Sequence, residues 1–401
     1  MFEIIVSALL AVFLLIWIGY FLIAIRNYHK LPQLSETQSQ PRSDKLPFVS
    51  VIVPTRNEAY RVEKCIRSLK AQTYPHLEVI IFDDSADNTA EFIASIVNDD
   101  KRFVIIKQDK LPDGWIGKPY ALQQGSRLAK GEFLLFIDAD TFHSPQLITR
   151  AVEYAQEHDI DLLSLVPHNV LLTFWEKVIQ PIPLSVIPAI SPLAKVNEPD
   201  SKVVVAFGPF MLMKHSVFNK IGGYDTIKNR IADDAEMGKL VKQSGYKVGL
   251  ANAQTMMHIR MYENFHEIWE GWSKNIFLGL VQKREINSKI LRLFVALLGA
   301  GMIFGLMIFP LCATVIALYL TVITQSLQWQ WVFLFALLTW LVGTLLQFII
   351  QKTYRYGKPR YAVLVFLGAL VIIGIFLNSA IKTMSGTGVT WKGRKYAEKN
   401  T

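Results

Sequence analysis

Asp138-Ala139-Asp140 closes the apolar run Phe133-Leu134-Leu135-Phe136-Ile137, so two carboxylates at i and i+2 stand where a buried strand reaches its carboxyl end. Hard divalent cations prefer carboxylate oxygens and keep phosphate oxygens as further ligands, so this spacing suits a divalent ion held against a diphosphate. A second acidic pair, Asp233-Asp234, follows Gly222-Gly223-Tyr224-Asp225 and opens a helical pattern through Ala235, Met237, Leu240 and Val241. One of these carboxylates suits an N-cap, which leaves the other to take a proton from an attacking hydroxyl. Gly114-Trp115-Ile116-Gly117-Lys118 leads into another helix. There Lys118 would stand in the first turn, beside backbone N–H groups that favour a phosphate.

Such residues need a scaffold that gathers them. Phe48 to Val53, Leu77 to Phe82, Phe103 to Lys107 and Phe133 to Ile137 read as short strands, with helical patterns such as Glu58 to Ala71 and Pro119 to Ala129 between them. This alternation predicts an α/β domain, Rossmann-like with a mainly parallel sheet, whose ligands bind beyond the carboxyl ends of the strands. Pro54-Thr55-Arg56-Asn57-Glu58 follows the first strand, Asp83-Asp84-Ser85 the second and Asp138-Ala139-Asp140 the fourth. One acidic turn alone reads as a solvated loop. Three at strand ends on one edge argue for a shared site.

The rest of the chain points to a membrane. Hydrophobic residues make up 51% of its 401 residues, and the mean hydropathy is +0.28. Ile4 to Ile25 carries no charge and is long enough, at about 1.5 Å per residue, to cross about 30 Å of hydrocarbon. Leu293 to Gln351 is also uncharged, with room for two spans around Thr324 to Gln330, and Tyr361 to Ile381 adds a fourth. The chain is thus expected to divide into an anchor (1–30), a linker (31–46), a catalytic domain (47–290), membrane helices (291–383) and a basic tail (384–401). Arg26 and Lys30, then Lys283, Arg284, Lys289 and Arg292, then Lys352, Arg355, Lys358 and Arg360 flank these stretches. The positive-inside rule places the polar domain in the cytoplasm of a multi-pass protein of the cell membrane.

Parity then puts the tail outside, although Lys382, Lys392, Arg394, Lys395 and Lys399 favour the inside. Either the last apolar stretch is re-entrant or interfacial, or Leu293 to Gln351 is not a simple hairpin. Leu171 to Val196, apolar but broken by four prolines (Pro181, Pro183, Pro188, Pro192), fits either the bilayer surface or a core.

Other classes fit less well. The net charge of +9 lies largely in flanks that meet anionic head groups, and no basic stripe with interleaved aromatics marks a nucleic-acid surface. Cys65 and Cys312 fall in different regions, which excludes a disulfide framework or thiolate metal site. No charge lies mid-span, as a transporter would require.

Val51 to Glu58, Asp83-Asp84-Ser85, Gly117-Lys118-Pro119-Tyr120-Ala121-Leu122, Asp138-Ala139-Asp140, Gly222-Gly223-Tyr224-Asp225 and Asp233-Asp234 occur together in the order found in family 2 glycosyltransferases of GT-A fold, which the chain resembles over about Phe48 to Trp272. Gly114 to Lys118, Arg260-Met261-Tyr262, Gly271 to Asn275 and Trp391 to Tyr396 make it most similar to membrane enzymes that glycosylate isoprenoid lipids, the carotenoid- and hopanoid-associated transferases. The resemblance implies that Pro54, Glu58 and Asp84 line the nucleoside pocket with Asp83 beside them. It implies that Lys118 approaches the diphosphate, that Asp138 contacts the nucleotide sugar and the metal, and that Asp140 holds Mn²⁺ or Mg²⁺. Asp234 would be the general base, with Asp233 where glutamate is common. Trp115, Arg260 and Trp272 would face the acceptor.

The implied reaction is inverting, metal-dependent transfer of one sugar from a nucleotide-sugar donor, a UDP-sugar, to a membrane lipid of isoprenoid or carotenoid type. Two departures from the family pattern bear on this. The turn Asp83 to Thr89 is one residue shorter than the commoner form, which bears on base recognition. Where processive polysaccharide synthases carry Gln-x-x-Arg-Trp, this chain has Ile268-Trp269-Glu270-Gly271-Trp272, which favours a single transfer over a growing polymer. A non-catalytic nucleotide-sugar or lipid-binding membrane module is the third reading, and it has no need of a base. Trp272 could stack on a sugar or anchor at an interface. His258 could assist the leaving group or serve structure, and Trp391 to Tyr396 could cover the site or bind head groups.

Overall fold

The computed structural model describes residues 1–36, 46–108, 110–278, 280, 286 and 288–396. Most of the expected linker (37–45), Lys283, Arg284 and Lys399 lie outside the described residues. The chain sorts into two compact units, one of Lys30–Val170 and Leu193–Met261, the other of Met1–His29, Leu171–Pro192 and Tyr262–Thr401.

The first unit is built on a seven-stranded sheet. Its strands are β1 (Val49–Thr55), β2 (Leu77–Asp83), β3 (Phe103–Lys107), β4 (Phe133–Ile137), β6 (Leu162–Val166), β8 (Phe210–Lys214) and β9 (Val248–Asn252), in the order β3-β2-β1-β4-β8-β6-β9. β1 pairs in parallel with β2 and β4, β2 with β3, and β6 with β9, while β8 runs antiparallel between β4 and β6. The expected mainly parallel, Rossmann-like sheet is therefore present. Val51, Ile52, Val53, Leu134 and Leu135 are fully buried, which is why these strands read as continuous apolar runs rather than alternating ones.

The chain proceeds from β1 outward to β2 and β3, then returns to lay β4 on the other side of β1. That reversal opens a crevice at the carboxyl ends of β1 and β4. A small second sheet, β5 (Thr141–His143), β10 (Met257–Ile259) and β7 (His168–Asn169) in the order β5-β10-β7, continues from Asp140.

Two boundaries differ from expectation. β1 runs on to Thr55 because Thr55 pairs in register with Asp83 and its hydroxyl donates to Asp83 Oδ1 at 2.6 Å. The helix expected from Glu58 begins at Val62. Asn57 turns the chain at φ 51°, and the Arg61 N–H closes a turn onto the Glu58 carbonyl at 2.8 Å.

The second unit is helical. Phe2–Lys30, Lys289–Met307, Leu327–Thr353 and Pro359–Met384 are each long and apolar enough to cross a membrane. The block Leu293 to Gln351 holds the two expected span-length helices and, between them, the shorter helix Phe309–Thr324, because the chain breaks at Ile308. Pro310 sits at the start of the new helix, where it cannot continue the hydrogen bonding of the old one. The polar turn falls where expected, at Gln325 and Ser326 between the last two of these helices. Leu171 to Val196 is not a single element. Leu171–Pro192 packs within the helical unit as Phe174–Ile179 and Pro181–Ile190, while Leu193 onward joins the sheet unit. The tail forms a hairpin of β11 (Val389–Trp391) and β12 (Arg394–Tyr396).

Candidate active site

The crevice collects three carboxylates from two elements around one cation. Lys118, in the first turn of the helix Gly117–Leu128, places Nζ 2.7 Å from Asp138 Oδ1 and 3.7 Å from Asp233 Oδ2. Burial disfavours its charge, but Asp138 and then Asp233, with Asp234 adding, outweigh it and hold the ammonium pKa above its ordinary value.

Asp233 and Asp234 occupy the first turn of the helix Asp233–Gln243, one position inside the cap, which is Ala232. The expected N-cap role is therefore not filled, for neither side chain caps this helix. The positive end of the helix dipole still favours both charges there. Asp234 is fixed instead by two backbone N–H groups, Ala235 onto Oδ1 at 2.7 Å and Gly208 onto Oδ2 at 2.9 Å. Tyr224, fully buried against Phe136 and Phe218, stands close enough for Asp233, Asp234 and Asp138 to reinforce what burial begins, raising its hydroxyl pKa far above the usual range.

Two residues at this site carried no pattern of their own in the sequence. Gly208 sits in a turn just before β8, and a Cβ there would lie 3.1 Å from Lys118 Nζ and 3.3 Å from Asp234 Oδ2. Its signal was the Gly208-Pro209 dipeptide, a turn former. Ser164, buried in β6, accepts from the Phe207 N–H at 2.7 Å and donates to the Phe207 carbonyl at 3.1 Å, which fixes that turn from below. A serine in a buried strand gives no warning of such a role.

Asp138, Ala139 and Asp140 lie between β4 and β5. The Cys65 thiol approaches the Asp138 carbonyl at 3.8 Å, and burial raises its pKa with help from Asp140, Asp138 and Glu58, so these three acids share one neighbourhood. Cys65 is buried and unpaired with Cys312, as expected. β10 aligns beside β5, and the Arg260 N–H donates to the Asp140 carbonyl at 3.2 Å, so Arg260 adjoins the acidic turn. His258, one pair earlier, stacks on Phe142 at 4.8 Å. Asp138 and Asp140 offer the hard oxygen donors that Mn²⁺ or Mg²⁺ takes. Among the described residues no group of three or more acidic, His or Cys side chains is poised for a metal, so the pair fits a cation that completes its shell with phosphate and water.

At the β1 and β2 ends, Asp83 is buried and its Oδ1 accepts from Thr55 and from Ser85, each at 2.6 Å. Arg56 Nη1 meets both the carbonyl and Oδ2 of Asp84 at 3.0 Å. The Asn57 N–H donates to Ser85 Oγ at 2.8 Å and the Glu58 N–H to Thr89 Oγ1 at 2.9 Å, tying the two loops together. Pro54, Glu58, Asp83 and Asp84 thus come together at the β1 and β2 ends, where Glu58 shares the neighbourhood of Cys65 with Asp138. Trp115 packs edge-on against Tyr120 at 5.4 Å, just before the Lys118 helix. Trp272 belongs to the helical unit, where it is 7% exposed and edge-on to Tyr262.

Residues 50–222 match the family model described as glycosyl transferase family 2. A 4,4'-diaponeurosporenoate glycosyltransferase of Staphylococcus haemolyticus (strain JCSC1435) is 27% identical over 234 residues, 58% of this chain and 61% of that protein. The chain thus matches about three fifths of that relative's length. The protein of the same description from Staphylococcus aureus (strain MRSA252) is 24% identical over 354 residues, 87% of this chain and 88% of that one. Among solved structures, the mannosyltransferase PcManGT from Pyrobaculum calidifontis, in complex with GDP-Man and Mn²⁺, superposes with a TM-score of 0.54 at 20% identity, covering 95% of this chain and 98% of that one. At that identity the likeness shows the fold.

Proposed function

Residues 50–222 being a glycosyl transferase family 2 domain of GT-A fold, we propose that the protein transfers a single sugar, with inversion, from a nucleotide-sugar donor to a membrane lipid of isoprenoid or carotenoid type. The observation that carries this reading is the meeting of Asp138, Asp233 and Asp234 around Lys118 beneath the Gly208 turn. The likeness to glycosyltransferases named for a carotenoid acid supports the acceptor class, and the loop system of Pro54, Glu58, Asp83 and Asp84 suits the donor's nucleoside, uridine in this reading.

Asp234, oriented by the two N–H groups, accepts the proton of a lipid hydroxyl as its oxygen attacks the anomeric carbon, whereas a lipid carboxylate, already ionised, attacks directly. The new bond forms as the bond to the diphosphate breaks on the opposite face, and the nucleoside diphosphate leaves. Lys118 stands ready to pair with that diphosphate once Asp138 releases it. Asp138 and Asp140 would hold Mn²⁺ or Mg²⁺, which neutralises charge on the leaving group when bound, as Mn²⁺ accompanies GDP-Man in the mannosyltransferase above. The helical unit would carry the enzyme as a multi-pass protein of the cell membrane with the sheet unit on the cytoplasmic side, and Trp115 and Arg260 at the acceptor's approach.

The test is transfer to total membrane lipid from a panel of radiolabelled nucleotide sugars, by the full chain in detergent. Asp234→Asn and Asp140→Asn should each cost about 10²- to 10⁴-fold in rate while leaving the circular dichroism unchanged. Full activity in both would refute the assignment, and a ladder of sugars on the product would refute single transfer.

A further inference from the structure

The helix Val365–Met384 carries a face that changes character along its length. Gly374 admits the Trp269 ring, since a Cβ there would lie 3.1 Å from the ring's Cη2. One turn on stands Asn378, and one turn further Lys382. At four-residue spacing these three share a stripe of the helix, about 6 Å apart in depth.

Beside this stripe lies a cavity of about 310 Å³ lined by Trp269, Ser273, Asn378, Lys382 and Thr390, with His266 and Glu270. Its hydrogen-bonding groups are unevenly used. Glu270 Oε1 accepts from Thr390 Oγ1 at 3.2 Å and lies 3.5 Å from His266 Nε2, and Asn378 Nδ2 spends one N–H on Ser273 Oγ at 3.2 Å. The ammonium of Lys382, half-buried at the rim, makes no ion pair or hydrogen bond among the described residues. A half-buried cation unpaired among the described residues, an amide N–H one turn away and an aromatic wall one turn deeper, with the Glu270 carboxylate engaged by Thr390 and His266 instead, describe a receptor for an anionic head on an apolar chain.

We propose that this cavity binds the phosphate of an anionic membrane phospholipid. One phosphate oxygen pairs with Lys382, another accepts the second N–H of Asn378, and the first acyl carbons lie along the Trp269 ring and Gly374. This site belongs to the helical unit alone and is independent of the transfer reaction.

The test uses the full chain in detergent, measured by native mass spectrometry with phosphatidylglycerol, phosphatidylcholine or inorganic phosphate. Tight phosphatidylglycerol adducts should form on the wild type, fall at least about fivefold in Lys382→Gln, and survive in Lys358→Gln, which removes the same charge from an exposed loop of the same unit. Phosphatidylglycerol with brominated chains should quench tryptophan fluorescence less in Trp269→Phe. Equal loss in Lys382→Gln and Lys358→Gln would overturn the site in favour of general electrostatics. So would equal retention of phosphatidylcholine, or full competition by inorganic phosphate. Because sugar transfer is not the readout, failure here leaves the proposed reaction standing, and a failed transfer assay leaves this site standing.

Discussion

Asp234 is positioned by backbone, not by another side chain, and one of its two donors belongs to a residue distant in sequence. That makes Gly208 the sharpest test of geometry at this site. A methyl at Gly208 would meet Lys118 Nζ at 3.1 Å and Asp234 Oδ2 at 3.3 Å, closer than most carbons tolerate, so the base or its cation must shift by a few tenths of an ångström. Gly208→Ala should lower kcat about 10- to 100-fold, the scale on which small misplacements act, with KM for the donor nearly unchanged and little loss of thermal stability. A drop confined to KM would show that Gly208 serves donor binding instead. Further along the same acidic strand end, His143 is 7% exposed and set between Ser68 Oγ at 3.1 Å and Thr141 Oγ1 at 3.0 Å. Burial, with His258 adding, pushes its pKa down to about 3. In the unfolded chain it takes a proton near pH 6.5, so between these values the unfolded state binds more protons. The stabilising effect of keeping it neutral is complete above that pH and is lost as pH falls toward 3, at about 1.4 kcal/mol per pH unit. Denaturant titrations from pH 7 to 4 should show this slope, reduced by about one proton in His143→Gln. An unchanged slope would refute the assignment.

At the level of elements, packing of small residues decides what the helices tolerate. A methyl at Gly368 would overlap the Val178 carbonyl and crowd Ile182, whereas Gly301 has nothing within 4 Å of its would-be Cβ. Both lie within long apolar helices, so helix propensity alone predicts the same modest gain from alanine at each. Gly368→Ala should instead lower stability by about 1–3 kcal/mol, the usual effect of overpacking, and Gly301→Ala should be neutral or better. Melting of the detergent-solubilised protein checks both, and matched melting temperatures would show that the helix pair relaxes freely. The same contrast explains what could be read from the chain beforehand. Apolar runs ending at Val53 and just before Asp83 and Asp138 are local patterns, so the parallel strands and the acidic edge were legible. The Gly208 turn, the clamp from Ser164 and the antiparallel insertion of β8 between β4 and β6 depend on partners 26 or more residues away. Apart from the Gly208-Pro209 dipeptide, which marks a turn but not its partners, nothing in their immediate neighbours announces them. The break at Ile308 was in principle visible as Pro310, yet a proline near the start of a helix is harmless, and only packing says which side of it a helix begins.

For the whole chain the open matter was the basic tail, which parity assigned to one face and its charges to the other. Packing inside the helical unit favours the charges. Phe2 meets Trp329 at 6.1 Å at one end of the first helix, while Tyr28 meets Tyr354 at 5.0 Å and the Tyr354 hydroxyl donates to the Ala24 carbonyl at 2.7 Å at the other. Phe2–Lys30 and Leu327–Thr353 therefore run side by side in the same direction. Tyr356 and Leu184, joined at 3.1 Å, mark the Tyr28 end. The helix Val365–Met384 starts there, with Gly368 against Val178 and Ile182, passes Trp269 at Gly374, and finishes with Asn378 and Ser379 on Ser273. The short helices it touches are themselves linked, Trp175 to Phe265 at 5.1 Å and Phe174 to Tyr361 at 6.1 Å. Its second half also packs along Lys289–Met307, with Phe376 2.7 Å from a would-be Cβ at Gly299 and Ala380 clustered with Ala296, so a course along an interface is the arrangement to test against a full crossing. On an interfacial course the tail would stay with the basic residues Lys352 to Arg360, as the charge rule asks. In a Cys312→Ser background with Cys65 buried, a membrane-impermeant maleimide on sealed right-side-out vesicles should label Gln328→Cys at once. Lys358→Cys and Thr387→Cys should both wait until the vesicles are opened. Immediate labelling of Thr387→Cys with Lys358→Cys still protected would mean that the last helix crosses the bilayer and that parity, not charge, decides where the tail lies.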